Sequence, residues 1–101
     1  GKGESFSPTD LVATALAACM VTILGIAARG EGLDVEGATA TVTKEMVADP
    51  ERRIGRLTVR IRVPHRLPDE VRRRLEEAAR GCPVARSLHP DVEVPLEFEW
   101  A

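Results

Sequence analysis

The two cysteines are the most reactive side chains in this chain. Cys19 lies inside the uncharged run 11–28, and Cys82 stands 63 positions later, directly before Pro83. A free cysteine often serves as a small buried hydrophobic residue, whereas a helix N-terminus favours the thiolate. The local sequence therefore predicts an inert packing thiol at Cys19. Because Pro83 suits the first position of a helix, we predict that Cys82 lies at the cap of that helix. There its thiol would be either reactive or simply structural.

The spacing of the potential ligands argues against a metal site. The histidines His65 and His89 would bring the number of candidate ligands to four, but the intervals match no zinc-binding pattern. Cys19 also lies deep within a predicted helix. The sequence contains no Ser/His/Asp signature, no glycine-rich phosphate loop and no HExxH helix that would indicate another chemistry.

The element that must position Cys19 is a helix predicted over about residues 7–30. Ser7 is suited to cap the first backbone N–H groups, Pro8 to occupy the first position and Asp10 to stand in the first turn. Apolar residues fall on every side of this helix, so we expect it to be central and buried. The uncharged run is long enough to span a membrane, but its small residues and threonines make it weakly apolar. We predict no membrane insertion.

The rest of the chain reads as strands and amphipathic helices. Alternating apolar and polar residues predict a hairpin over about 38–63 and a last strand over about 92–100. A helix is predicted over about 68–80 and a short helix over about 83–88. This order, α-β-β-α-β, indicates a single α+β domain over residues 1–101 with an antiparallel sheet. The arginines of the second strand and the glutamates of the last strand are complementary, so we expect both strands in one sheet.

The overall composition limits the classes of partner. The chain has 101 residues, a net charge of −2 and only three aromatic residues, so there is neither an electrostatic nor a stacking basis for binding nucleic acid. Two distant cysteines and the lack of a signal peptide favour the cytoplasm. Three short strands are too few to cover a helix that is apolar on every side. We therefore expect an obligate homodimer with the first helix at or near its interface.

Three short motifs carry a family resemblance. They are SPTDLV at residues 7–12, AACM at 17–20 and GCPV at 81–84. Together, and in this element order, they resemble the OsmC/Ohr family of osmotically induced and organic hydroperoxide resistance proteins over about residues 3–100. The resemblance implies an OsmC-like fold and an intertwined homodimer with active sites at the subunit interface. It also implies a role in oxidative stress defence, with no metal or organic cofactor.

The chemistry implied by the resemblance is that of a thiol peroxidase. Cys19 matches the peroxidatic cysteine of the family and Cys82 the resolving cysteine. An organic hydroperoxide would oxidise Cys19 to a sulfenic acid, and Cys82 would condense with it to a disulfide. An external dithiol would then reduce the disulfide; in the hydroperoxide resistance branch this reductant is a lipoylated protein.

Two positions differ from the usual family pattern. The family carries an N-terminal sheet with an arginine that stabilises the peroxidatic thiolate, and the candidates to replace it here are Lys2 or an arginine of a second subunit. The position of the glutamate that orients this arginine holds Thr9, followed by Asp10, so both are candidate supporting residues. Two alternatives stay open: a non-catalytic dimeric module that binds a small apolar ligand beside Cys19, and a thiol redox sensor.

Overall fold

A serine hydroxyl caps the helix that carries Cys19. In the computed structural model, which describes residues 7–101, helix α1 spans Pro8–Gly30. The Ser7 hydroxyl accepts a hydrogen bond from the backbone N–H of Asp10 at 3.1 Å, which satisfies one of the N–H groups that lack a partner within the helix. Beyond the helix the chain turns through Gly32, whose φ of 71° lies in the left-handed region that glycine favours.

Two strands, two helices and a last strand follow α1. They are β1 (Thr39–Val47), β2 (Arg53–Val63), α2 (Asp69–Arg80), α3 (Pro83–Arg86) and β3 (Leu96–Trp100). The α+β class and the order α-β-β-α-β are therefore confirmed, with α3 as one additional helical turn before β3. This turn ends at Arg86, two residues earlier than predicted.

The three-stranded sheet is mixed, which corrects the predicted antiparallel sheet. In the order β1-β2-β3, strands β1 and β2 form an antiparallel hairpin, whereas β3 runs parallel to β2 from the pair Val59–Leu96 to the pair Val63–Trp100. An alternating pattern is the same in either chain direction, so it could not predict the direction of β3. The connection decides the direction, because α2 and α3 form a crossover that returns the chain to the end of the sheet where β2 begins.

The last strand begins at Leu96 and not near Val92. The preceding segment already runs beside β2, since the backbone N–H of Leu57 donates to the carbonyl of Glu93 at 2.8 Å. Pro95 has no N–H to donate, however, so regular strand pairing starts only after it.

The expected contact between the arginine and glutamate faces is confirmed. Arg56 contacts Glu93 and Arg60 contacts Glu97, each with an N–O distance of 2.9 Å. Both pairs join β2 to β3 or to the segment before it, on the outer face of the sheet. These arginines therefore pair with carboxylates of the same chain.

The core lies between one side of α1, the inner face of the sheet and α2. On α1 the buried residues recur at the spacing of one helical face, and on β2 every second residue from Leu57 to Val63 is completely buried. Helix α2 adds Leu75 and Ala79. The largest contributions come from Leu16, Met20, Leu24, Leu57, Val59, Ile61 and Val63.

Among residues 7–101, α1 is covered on one side only. The opposite side exposes a small-residue and apolar band, here called the open stripe: Leu11, Ala15, Ala18, Thr22 and Ile26. Leu11 and Ile26 are 54% and 58% exposed. Among the described residues, α1 is the one helix long and apolar enough to cross a membrane, a property that it shares with core helices of soluble proteins. Its other side packs against the sheet and α2.

Candidate active site

The fold brings the two cysteines together. Helix α3 packs against α1, and Cys82, at the N-cap of α3, lies near enough to Cys19 for the Cys19 thiol to raise the pKa of Cys82. The Cys82 sulfur also accepts a hydrogen bond from the backbone N–H of Ala85 at 3.3 Å. Both thiols are free. Proximity of two free thiols is a precondition for a disulfide between them.

The two thiols differ in exposure. The local sequence predicted Cys19 to be the buried packing thiol, but Cys82 is the more deeply buried of the two. Cys82 is completely buried in the core, whereas Cys19 is half-buried. Burial raises the pKa of the Cys82 thiol, and its hydrogen bond and charge interaction with Cys19 raise it further. The backbone N–H groups of Ala85 and Val84 act in the opposite direction but do not prevail. The helix cap therefore does not lower the pKa of Cys82 overall, as its sequence position had suggested.

The surface of α1 around Cys19 is apolar. Residues three, four and seven positions away lie beside a given residue on a helix, and for Cys19 these include Val12, Leu16 and Ile23. The nearest charged residues along α1 are Asp10 and Arg29. The helix itself thus offers the thiol an apolar environment and no adjacent cation.

Thr9 and Asp10 take part in a polar cluster at the start of α1. The ammonium of Lys44, on β1, donates to the Thr9 hydroxyl at 2.8 Å and lies 2.7 Å from an Asp10 carboxylate oxygen. Hydrogen bonds from Lys44 and Ser7, with the charge of Lys44, hold the pKa of Asp10 below its usual value.

Lys44 is a residue that the sequence reasoning missed. Its signal is its register: the side chains of β1 that face inward are Ala40, Val42, Lys44 and Met46. A lysine in an otherwise apolar row, with 21% of its side chain exposed, requires an acceptor on the element that covers it. The start of α1 supplies that acceptor. Lys2, the replacement cation considered from sequence, lies outside the described residues.

The polar cluster and the thiol pair are separate within one chain. Thr9 precedes Cys19 by ten residues, which corresponds to about 15 Å along a helix. The structure therefore brings together Cys19 and Cys82, and separately Thr9 and Asp10 with Lys44. It does not bring Lys44 of the same chain to the Cys19 thiol.

The hydrogen bonds of the two histidine rings are with backbone groups and not with the cysteines. A ring nitrogen of His65 lies 2.7 Å from the carbonyl oxygen of Glu36, and His89 accepts a hydrogen bond from the backbone N–H of Asp91 at 3.0 Å. Within residues 7–101, no three side chains of histidine, cysteine, aspartate or glutamate converge in a way that would hold a metal ion.

Two adjoining grooves flank α1, and neither is lined by a cysteine. One, of about 440 Å³, lies between the C-terminal half of α1 and residues 33–38. The other, of about 290 Å³, lies between α1 and the start of β1 and is lined mainly by alanines, including Ala18 of the open stripe. Val21 and Ala38 line both grooves.

The comparisons with known proteins agree with this architecture. The family model described as OsmC-like protein matches residues 1–97. A crystal structure from Psychrobacter arcticus, of a protein named for osmotic stress induction and a detoxification response, is 47% identical with a TM-score of 0.91, over 98% of this chain and 72% of that one. Comparison with curated protein sequences gives no significant match.

More distant structures share the fold. An organic hydroperoxide resistance protein OsmC from Legionella pneumophila is 22% identical with a TM-score of 0.81, over 98% of this chain and 73% of that one. The organic hydroperoxide resistance protein OhrB of Bacillus subtilis is 24% identical with a TM-score of 0.75, over 97% of this chain and 73% of that one. With the family model matching nearly the whole sequence, this chain belongs to the OsmC-like protein family.

Proposed function

We propose that this protein reduces organic hydroperoxides in two steps, with Cys19 as the peroxidatic cysteine and Cys82 as the resolving cysteine. The observation that carries the proposal is the juxtaposition of a half-buried thiol with a completely buried one. A peroxide must reach the first thiol, whereas the second has only to meet its neighbour. The exposures of Cys19 and Cys82 match these two requirements in that order.

In the first step, the Cys19 thiolate attacks the terminal oxygen of the hydroperoxide. An S–O bond forms as the O–O bond breaks, the alkoxide takes up a proton, and the products are a Cys19 sulfenic acid and an alcohol. The apolar residues beside Cys19 on α1 favour a substrate with a hydrocarbon substituent over hydrogen peroxide, because they remove apolar surface from water.

In the second step, the Cys82 sulfur attacks the Cys19 sulfenic acid. The S–O bond breaks, hydroxide leaves with a proton as water, and a disulfide forms between the two cysteines. An external dithiol must then return the pair to the reduced state. We propose a lipoyl-type dithiol carried by a protein as the reductant, and the cytoplasm, where thiols are kept reduced, as the location.

Thr9 and Asp10 support the site indirectly in this proposal. Their contacts with Lys44 fix the beginning of α1 to β1. Since Cys19 is on the same helix, its placement relative to α3 depends on how α1 lies on the sheet. These residues are positioning residues, because the thiol is about ten residues away along the helix.

We further propose that the protein is a homodimer assembled through the open stripe. The stripe runs the length of α1 without a charge, and Leu11 and Ile26 near its ends are more than half exposed. Two copies related by a two-fold axis can each present the same apolar stripe, so the surface is complementary to itself. The small residues in its middle allow two helices to approach closely.

The peroxidase proposal is tested by a single-turnover reaction. Fully reduced protein receives one equivalent of cumene hydroperoxide, free thiols are counted, and the peptide linking Cys19 to Cys82 is sought by mass spectrometry. We expect rapid loss of both thiols in the wild type and no loss of the single remaining thiol in Cys19→Ser. Two thiols that persist after prolonged exposure would contradict the proposal. The alanine-lined groove beside Ala18 would then favour the binding-module alternative.

The dimer is tested by sedimentation of Ala18→Arg beside the control Thr41→Arg. Ala18 lies in the middle of the open stripe, whereas Thr41 is exposed on the outer face of β1. We expect the first substitution to shift the protein to monomer or to unfold it, and the second to leave the dimer intact. A wild-type protein that sediments as a stable monomer would contradict the proposal.

A further inference from the structure

The burial of Cys82 determines how a disulfide between the two cysteines can be opened. We propose that the external dithiol attacks the sulfur of Cys19 and that Cys82 is the thiolate that leaves. This inference rests on the proposed function in one respect, the existence of the Cys19–Cys82 disulfide. It does not require that a peroxide be the oxidant.

Access to the two sulfurs is the first argument. A thiolate attacks a disulfide in line with the S–S bond, so it approaches each sulfur from the side opposite the other sulfur. Cys82 has no exposed surface on any side and belongs to the same buried cluster as Leu75 and Ala79. Cys19 is half-buried, so part of this residue is in contact with solvent, from which a reductant can approach it.

The pKa of the leaving thiolate also affects which sulfur is attacked. For Cys82, this effect partly opposes the effect of access. Burial raises the pKa of Cys82, which makes its thiolate a poorer leaving group. The N–H of Ala85, 3.3 Å from the sulfur, offsets part of this cost because it donates to the developing negative charge. Exchange rates change by only about threefold per pKa unit of an attacking thiol, and we take leaving-group effects to be of similar size. Exclusion of the reductant from the buried Cys82 sulfur has the larger effect on the rate, so the accessibility of each sulfur determines which one is attacked.

Reduction of the disulfide takes two successive thiol–disulfide exchanges. A reductant thiolate forms a bond to the Cys19 sulfur, the S–S bond breaks, and its electron pair passes to the Cys82 sulfur, which takes up a proton. The second thiol of the reductant attacks the first reductant sulfur, which releases Cys19 and closes a disulfide within the reductant. Two electrons have moved from the dithiol to the cysteine pair, and no other reactant is needed.

The site of attack is tested on protein oxidised with diamide, which makes the disulfide without peroxide. The oxidised protein is mixed briefly with 2-mercaptoethanol, quenched with acid and N-ethylmaleimide, and mapped by mass spectrometry. We expect the mercaptoethanol adduct on Cys19 and the maleimide on Cys82, in about tenfold excess over the reverse. An adduct mainly on Cys82, or equal labelling, would overturn the proposal.

Single-cysteine variants provide an independent measurement. We expect Cys82→Ser, which retains Cys19, to react with 5,5′-dithiobis(2-nitrobenzoate) about 100-fold faster than Cys19→Ser, which retains Cys82. Circular dichroism checks that each variant is folded, and Cys82→Ala replaces Cys82→Ser if the buried hydroxyl prevents folding. Equal rates in folded variants would contradict the inference.

The two proposals fail in distinguishable ways. A disulfide that diamide forms and mercaptoethanol opens at Cys19, in a protein that hydroperoxide does not oxidise, would refute the peroxidase proposal and support this one. If diamide forms no disulfide between Cys19 and Cys82, both proposals are wrong.

Discussion

Cys19 and Cys82 are neighbours in space but occupy opposite kinds of position. Cys19 is in the middle of a 23-residue helix and yet half-buried, because it lies between the covered side of α1 and the open stripe. Cys82 begins a four-residue helix near the end of the chain and yet has no exposed surface. The comparison teaches that the exposure of a thiol follows from tertiary packing more closely than from its place within a helix.

The complete burial of Cys82 also affects the pKa of its thiol. A helix cap stabilises a thiolate through nearby N–H groups, and at Cys82 those groups are present. Removal of the sulfur from water acts against them and prevails, so the pKa of Cys82 rises. A thiol of this kind is suited to a reaction with one fixed neighbour. Cys19 is the thiol that an external molecule can meet.

The largest expected difference between the two thiols is in sulfenic acid formation, measured in the two single-cysteine variants. After one equivalent of cumene hydroperoxide, we expect Cys82→Ser to accumulate a dimedone adduct on Cys19, because no resolving thiol consumes the sulfenic acid. We expect Cys19→Ser to form less than about one hundredth as much adduct, since its remaining thiol is sealed. Comparable adducts in both variants would show that the two thiols are equivalent.

A smaller effect is expected on stability. Cys82→Ala removes a buried sulfur and the N-cap of α3, and we expect it to lower the free energy of unfolding by about 1–2 kcal/mol, whereas Cys19→Ala should cost about 0.5 kcal/mol. In a chain of this size, 1 kcal/mol corresponds to a decrease in Tm of about 4 °C. The measurement is urea unfolding under reducing conditions at one fixed protein concentration. A larger loss for Cys19→Ala would contradict the assignment of burial.

The same burial predicts a dependence of stability on pH. Because the pKa of Cys82 is raised on folding, its contribution is complete below the pKa of an unfolded cysteine, about 8.5, and is lost as the pH rises through the higher folded value. We therefore expect the stability difference between the wild type and Cys82→Ala to narrow from pH 7 to pH 10, measured with a phosphine reductant. A difference that widens with pH would mean that the cap, and not burial, controls this thiol.

The smallest expected effect comes from the polar cluster at the start of α1. Lys44→Met should lower Tm slightly at pH 7, because it removes the contacts that fix the beginning of α1 to β1. Because the pKa of Asp10 is lowered, the contribution of the pair is present above the carboxylate's unfolded pKa and is lost as the pH falls through its folded value. Thermal unfolding of Lys44→Met, Asp10→Asn and the double variant isolates the coupling. If the two substitutions lower the stability additively, the ion pair between Lys44 and Asp10 makes no contribution to the stability.

The sequence by itself determined those features that depend on neighbours along the chain. The Ser7 cap of α1, the Cys82 cap of α3 and the alternation of apolar and polar residues along β2 each involve only residues close together in the sequence. The three motifs predicted the family, which the comparison confirms.

Only the tertiary structure decided the features that depend on distant residues. The parallel direction of β3 follows from the crossover through α2 and α3, and the pairing of Lys44 with the start of α1 follows from how β1 lies on that helix. The unequal exposure of Cys19 and Cys82 likewise depends on which elements cover each thiol. Burial is a property of the assembled layers, so a pattern along the chain can indicate which residues are candidates but cannot tell which of two thiols faces the core.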